Sequence, residues 1–438
     1  MELKETLLSS YMAFDAQDGP QRKLQDQRAA AIEVFEQQGF PSNKEEDWKY
    51  TSLRALTKVD YSVFPKEEVS LKLEEVKQYI LQDVDTYKIV FVDGIYNAYL
   101  SETTHEGADI CLLSAALTKR KYAPIIKKYF NQIAEKEASL TALNTAFTNE
   151  GAFIYVPEGK QVEKPVQIIH FATTKNPKLL LQPRNLIVLE KNAELQVVER
   201  HQSLSDNTTF TNVVTEIFTE QNAQLDYYKI QNDQSQASLI DSTYIAQQKH
   251  SHAKVHTFSL GGKLIRNNLN FYHKAPEIIS TMKGITLIEG EQFVDHHTLV
   301  HHAHPNSESH QDYKGIYAEK ATGVFNGKIV VEKEAQKTNA FQKNNNILMD
   351  DKASINTKPQ LEIFADDVKC SHGCTIGQLD EDALFYLQTR GIPKKEARGL
   401  LTYAFANNVL QSVQIDSVKK RINKLIAEKL GVNIGFDV

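Results

Sequence analysis

A spaced signature recurs through the middle of the chain. A small residue stands two places ahead of an apolar one at Ala193 and Leu195, at Ala223 and Leu225, and at Ala253 and Val255, in steps of 30 residues. Ala321, Gly323 and Val324 echo it, and Ala353 and Ile355 follow at a step of 32. Units of this length cannot bury an apolar face alone, so each must lie against the next, and a stack of coils results. The intervening sequence points to strands as the building blocks. Runs rich in Val, Ile, Thr, Phe and Tyr alternate with polar breaks at Phe153 to Val156, Val166 to Phe171, Leu186 to Leu189, Leu195 to Glu199, Val213 to Phe218, Leu225 to Ile230 and Leu264 to Tyr272, the pattern of many short strands. A solenoid over residues 151–377 is the expected arrangement, and a sandwich or barrel of the same strands is the competing one. Asn344, Asn345 and Asn346 suit turns or side-chain ladders between coils, and equally a solvated loop.

The flanks differ in character. Residues 1–150 read as a helical and mixed region: Gln21 to Gln38 places Ala29, Ala30, Ile32, Val34 and Phe35 on a partial apolar face, and Gly39 with Pro41 stops it. Tyr87 to Val92 is a strand candidate ending at Asp93-Gly94, and helical spacing resumes between Pro124 and Phe147. Residues 378–438 read as a C-terminal helical domain of three helices. Asp380 caps the first, Gly391 closes it, Pro393 is placed as the first residue of the second, and the third runs from about Asp416 to Leu430. From Ile392 to Val438 eight basic residues face four acidic ones, a surplus that marks either a partner surface or a solvated helix face.

Composition removes several function classes. The 438 residues suffice for about three domains at roughly 150 each. With 41% hydrophobic and 24% charged residues the chain is globular rather than disordered. Fifty basic against 56 acidic residues leave a net charge of -6, so no nucleic acid partner is expected, because such affinity rests on clustered Lys and Arg. No apolar run reaches the roughly 18 residues of a membrane span, and Glu2, Lys4 and Glu5 interrupt the N-terminus. A cytoplasmic, membrane-free protein is expected. Cys111, Cys370 and Cys374 are too few for a disulfide framework and fit a reducing compartment.

The sharpest chemical feature is Asp366-Asp367-Val368-Lys369-Cys370-Ser371-His372-Gly373-Cys374-Thr375. Two thiols and an imidazole are ligands for iron or zinc, and Lys369 is expected to lower a thiol pKa. The segment offers three ligands at most, so a closed four-ligand site needs help from elsewhere; a buried Cys and a hydrogen-bonded His are the plain alternative. Ten of the fourteen histidines fall between His250 and His310. On extended backbone His250, His252 and His256 share a face, as do His296, His302 and His304, which admits a metal-dependent, cupin-like enzyme. Lys254 on the first of those faces opposes a cation, so polar coil exteriors are the preferred reading. No phosphate loop, dinucleotide glycine fingerprint, His-Glu-x-x-His or Gly-x-Ser-x-Gly occurs. The chain therefore lacks the usual devices of an enzyme.

Several stretches carry a resemblance: Tyr313-Lys314-Gly315-Ile316, Thr322 to Ile329 (Thr-Gly-Val-Phe-Asn-Gly-Lys-Ile), Ala335 to Ala340, Thr357 to Ile363, the Cys370 segment, Leu384-Phe385-Tyr386-Leu387 with Arg390-Gly391, and Trp48-Lys49-Tyr50-Thr51. In these the chain resembles the SufB/SufD family of the SufBCD iron–sulfur cluster assembly complex, and the scarcity of cysteine resembles its SufD branch. The resemblance implies a mainly β fold, with a right-handed parallel β-helix core flanked by N-terminal and C-terminal helical domains. It implies a non-catalytic scaffold that pairs with SufB through the β-helices and docks the ATPase SufC on its C-terminal helices. Phe385, Tyr386, Arg390, Arg398 and Phe405 are the expected docking residues. His372, with Cys370 beside it, takes the motif position that faces a SufB cysteine. The expected cargo is iron or a nascent Fe–S cluster at that junction, with no cofactor in the isolated chain, and a homodimer is possible when SufB is missing. Cys374 stands where many relatives carry Ala.

Overall fold

The computed structural model describes residues 3–17, 19–103 and 107–432; the end of the expected C-terminal part, with Asp437, lies outside them. Two ten-stranded sheets face each other along the middle of the chain. One runs from Ile95–Tyr96 and Tyr87–Val92 through Val166–Ala172, Glu194–Ser203, Gln224–Gln231, His252–Ser259, Ile279–Ile288, Glu308–Tyr317 and Asn339–Leu348 to Lys369–Gly377. The other runs from Asp109–Leu112 and Ala152–Val156 through Arg184–Leu189, Thr209–Thr219, Ala237–Gln247, Leu264–His273, Phe293–His302 and Thr322–Val331 to Ser354–Ile363, with Leu179–Leu181 joining it beside Thr209–Thr219. Successive strands alternate between the sheets and pair in parallel within each, as a β-solenoid requires, while Asp109–Leu112 and Ile95–Tyr96 join antiparallel at the beginning. The expected solenoid is therefore present, and the sandwich and barrel are not. Tyr87–Val92 pairs with Val166–Ala172, so the first part shares a sheet with the second rather than ending cleanly at residue 150.

Register shows how the sequence repeat works. Leu195 lies beside Leu225 at a step of 30, but Leu225 lies beside Ala253 and Tyr227 beside Val255. The third occurrence has thus slipped two residues and kept its face, because a strand's side-chain period is 2. Between the sheets lie Leu195, Val197, Leu225, Tyr227, Val255, Met282, Ile187, Ile217, Ile245, Phe271, Val300 and Phe325 in one core, each large side chain contributing about 1.5–3 kcal/mol by leaving water. The corners are sharp. Asn192 (φ 58°), Asn222 (φ 59°) and His250 (φ 59°) adopt left-handed backbone, and Asn222 Nδ2 donates to Asn192 Oδ1 at 2.8 Å. Asn344, Asn345 and Asn346 are not a turn: they lie within Asn339–Leu348. Asn346 Nδ2 donates inward to Asn344 Oδ1 at 2.7 Å, and Asn345 Oδ1 accepts from Thr375 Oγ1 on the next coil.

Helices cover the outer faces of the solenoid. Leu3–Asp15, Gln25–Gln38 and Ser139–Ala146 bury Leu7, Phe14, Phe35, Leu143 and Phe147 against Phe210 and Ile240 of one sheet. In Gln25–Gln38 the buried residues are Arg28, Ala31 and Phe35, not Ala29 or Ala30, and Gly39 (φ 68°) ends it. The Trp48 motif clasps the same face: the Arg266 guanidinium lies 3.8 Å from the Trp48 ring centre and 2.7 Å from Asp295, which also accepts from the Thr51 hydroxyl. On the opposite sheet Lys394–Leu410 and Asp416–Leu430 place Ala406, Val409, Leu410, Val418, Ile422 and Ile426 over Tyr228, Phe258, Ile285 and Ile316. Asp380 accepts from the backbone N–H groups of Asp382 and Ala383 and caps Glu381–Thr389 as expected. Pro393 is the residue before the next helix rather than its first.

Candidate functional site at the open end of the solenoid

The last coil has no successor. Ser354–Ile363 and Lys369–Gly377 are the outer edges of their sheets, each hydrogen-bonded on one side only. An unpaired edge presents a row of backbone donors and acceptors to whatever approaches. Cys370 lies beside Ala340, His372 beside Gln342 and Cys374 beside Asn344. Ala340, Gln342 and Asn344 are buried and their side chains point to the solenoid interior, so Cys370, His372 and Cys374 have the same inward direction, spaced about 7 Å apart by the strand rise. With no further coil above them, His372 and Cys374 are exposed and Cys370 is half-buried. Core positions here become surface. Ile363, Phe364 and Ile376 are likewise left exposed, Ile376 at 49%. Ile363 and Ile376 have the patterning of buried strand residues, and only the absence of a next coil exposes them; Phe364 follows the end of its strand.

Cys370 packs against Ile329, Val331, Ala335 and Ala340, and burial pushes its thiol up from the usual range, only partly opposed by a hydrogen bond from the Ala340 backbone. The expected lowering by Lys369 does not occur: adjacent strand residues point to opposite faces, so the ammonium is turned away from the thiol. An ion binding there must displace the thiol proton. Among the described residues Cys370, His372 and Cys374 do not converge on a single ion. The three donors are thus presented separately along one strand.

The histidine-rich stretch is arranged otherwise than its spacing suggested. His250 occupies a left-handed corner and does not share the face of His252 and His256. His256 is covered by the C-terminal helices, bonded to Ser412 at 3.0 Å and stacked on Tyr228. His296 and His302 point into the solenoid, not to its exterior, and meet the hydroxyls of Thr286 at 2.9 Å and Ser309 at 2.9 Å. Burial lowers the His296 pKa to about 4 and those of His256 and His302 to about 3. No three of them gather on one ion among the described residues, which removes the geometric basis of a cupin-like centre.

The docking residues separate into two sets. Phe385 (68% exposed), Tyr386 (57% exposed) and Arg390 stand on Glu381–Thr389 and its end, with Arg390 Nη2 3.2 Å from the Tyr386 hydroxyl. Arg398 donates to the Met349 carbonyl at 2.8 Å, and the Phe405 ring carries Lys314 Nζ at 4.4 Å, so both also bind the C-terminal helices to the solenoid. No helix among the described residues is long and apolar enough to cross a membrane.

Comparison with known proteins agrees with this architecture. Residues 170–405 match the family described as SUF system FeS cluster assembly, SufBD core domain, and residues 9–168 match the SufBD protein N-terminal region. The chain belongs to the SufB/SufD family. A SufBD-family iron–sulfur cluster assembly protein of Synechocystis is 32% identical over 412 residues, 92% of this chain and 90% of the relative. The iron–sulfur cluster assembly protein SufD of Escherichia coli is 29% identical over 95% of both chains, and that of Bacillus subtilis 30% identical over 73% of both. As a SufB/SufD-family protein, this chain is a component of iron–sulfur cluster assembly in the SUF system. The boundary between the two matched regions falls within Val166–Ala172, the strand that joins the first part to the solenoid.

Proposed function

We propose that this SufB/SufD-family chain is a non-catalytic cytoplasmic scaffold that pairs with SufB through the open end of its solenoid and docks the ATPase SufC on its C-terminal helices. The observation that carries the reading is the uncapped last coil, where inward-facing Cys370 and His372 are accessible only because no further strand covers them. A second solenoid added end to end would pair the free edges of Lys369–Gly377 and Ser354–Ile363, bury Ile363, Phe364 and Ile376, and bring its own ligands opposite Cys370 and His372. Iron or a nascent cluster is the cargo held between them. Thiolate and imidazole suit it because they are soft and borderline donors. In the absence of SufB the same edge can pair two copies of this chain.

SufC supplies the nucleotide chemistry for which this sequence has no phosphate loop. Phe385, Tyr386 and Arg390 form its docking patch, an aromatic pair with a cation of the kind that anchors interfaces. Nucleotide-driven movement of SufC then acts on the junction by favouring one arrangement of the two scaffolds.

The test is reconstitution of the purified complex with iron and sulfide. His372→Ala should reduce cluster formation, followed by its visible absorbance, while leaving the complex assembled; cluster formation at the unaltered rate removes His372 from the site. Arg390→Glu should release SufC from the purified complex, and retention of SufC at full affinity would displace the docking patch.

A further inference from the structure

Inside the first coils, far in register from the open end, three buried side chains come together. His170 lies on Val166–Ala172, and Glu199 and His201 lie on the adjacent strand Glu194–Ser203, with His170 directly beside His201. All three point to the interior, alongside Ile168 and Val197 of the core. Their exposures are 4%, 1% and 6%. One ligand atom from each falls within 4.8 Å of the others. The two imidazoles stack at 4.7 Å between ring centres, and Phe91 stacks on the outer side of His170 at 4.7 Å, which fixes the His170 ring plane.

The hydrogen bonding around them is incomplete. Neither His201 ring nitrogen has a hydrogen-bond partner, nor has Nε2 of His170; the nearest approach is 3.5 Å, from His201 Nε2 to Glu199 Oε1. A buried polar nitrogen without a partner costs about 1–3 kcal/mol, and this pair carries three. Glu199, by contrast, is firmly placed: Oε2 accepts from the Tyr227 hydroxyl at 2.6 Å and Oε1 from Asn185 Nδ2 at 3.2 Å. A nearby cation is shared with a second carboxylate. Lys229 Nζ stands 3.7 Å from Glu199 but 2.5 Å from Asp241 Oδ1, and also meets Thr243. Lys229 is thus shared between two carboxylates and offsets only part of the Glu199 charge.

We propose that His170, Glu199 and His201 form a binding site for a single borderline divalent metal ion, ferrous iron or zinc, held within the solenoid of the isolated chain. Two imidazoles and one carboxylate are the donor set of open iron and zinc sites, in which solvent completes the coordination. Tyr227 and Asn185 supply the outer hydrogen bonds that orient a metal-bound carboxylate. Of the three, His170 also lines a cleft of about 80 Å³, with Phe91, Asp93, Glu150 and Pro183 on its wall. The sequence carries a signal for this site at coil spacing rather than within one segment. Glu199 and His201 are two residues apart, and His170 precedes His201 by one coil step of 31.

The test uses the full-length chain, stripped with chelator and titrated anaerobically with Co²⁺ as a spectroscopic probe, then with Fe²⁺ and Zn²⁺ in competition. One Co²⁺ per chain with visible ligand-field bands is expected, displaced by either ion. Loss of an outer hydrogen bond alone weakens such sites by about 10–100-fold, so Glu199→Gln, which keeps the shape of the side chain, should weaken binding by more than about 100-fold. His201→Asn serves as a second variant should the first unfold. The double variant Cys370→Ser/His372→Ala should bind as the parent does. A parent chain that retains no ion, or unaltered affinity in Glu199→Gln, overturns the proposal. Loss of the ion in the double variant also overturns it, by placing that ion at the open end.

Discussion

Acidification from about pH 7.5 to about 5.5 should destabilise this fold well before its carboxylates titrate. Four histidines, His170, His256, His296 and His302, have pKa values lowered by burial to about 3 or about 4, and His273 is lowered well below the ordinary value by burial and by neighbouring His302. In the unfolded chain each titrates near 6.5. The unfolded state therefore binds more protons below that value, and stability falls as pH drops from about 6.5 toward the folded values. At pH 5.5 the loss is roughly 1 kcal/mol for each imidazole, several kcal/mol together, within the range of a whole domain's stability. Glu135, Glu150 and Asp233 act in the opposite sense, since burial raises their carboxyl pKa values and the folded state takes up their protons earlier. The figure is thus an upper value. Asp295 belongs to a separate window: burial raises it, but Arg266 and His297 outweigh burial and bring it to about 2, so its contribution is lost only below about pH 4. Urea midpoints read by far-ultraviolet circular dichroism and by Trp48 fluorescence, with chelator present so that His170 is free, measure the effect. His256→Phe, placed between Tyr228 and Phe258, should flatten the slope by about 0.9 proton at pH 5.5. A midpoint constant from pH 7.5 to 5.5, with decline only below about 4, would refute the reasoning.

Other perturbations test the packing that holds the site. Glu216 is fully buried, accepts from the backbone N–H groups of Asn131, Gln132, Ile133 and Ala134, and pairs with buried Arg184 at 2.7 Å. Glu216→Gln leaves that guanidinium uncompensated and should cost about 3–5 kcal/mol, seen as a lower urea midpoint at neutral pH; a change below about 1 kcal/mol would mean the pair adds little. Asp380→Ala removes the cap of Glu381–Thr389 and should cost that helix about 1 kcal/mol. Because the helix is mostly exposed, the loss should appear as faster amide exchange over residues 381–389 with an unaltered global midpoint, and uniform exchange would show the cap to be idle.

The stack of strands was legible because its cause is local. A residue such as Leu195 or Leu225 is apolar at an inward position whatever the neighbouring coil does, and two-residue alternation survives the slip that puts Ala253 beside Leu225. The caps were legible for the same reason, Asp380 and Gly39 acting within one turn of backbone. The histidines were not. Extended spacing identifies which side chains share a face, but whether that face is interior or exterior depends on the opposite sheet and on the helices laid over it, so His296 is a core residue and His256 lies beneath the C-terminal helices.

The amino-acid order alone determined that Cys370, His372 and Cys374 share one side of a strand, since that follows from the pleat of a single segment. Only the tertiary structure decided that this side is an uncovered end, because exposure there is the absence of a neighbouring coil. It also decided that His170, 29 residues before Glu199, meets it inside the solenoid. Such meetings are set by register between strands, and register depends on the lengths of the turns that separate them.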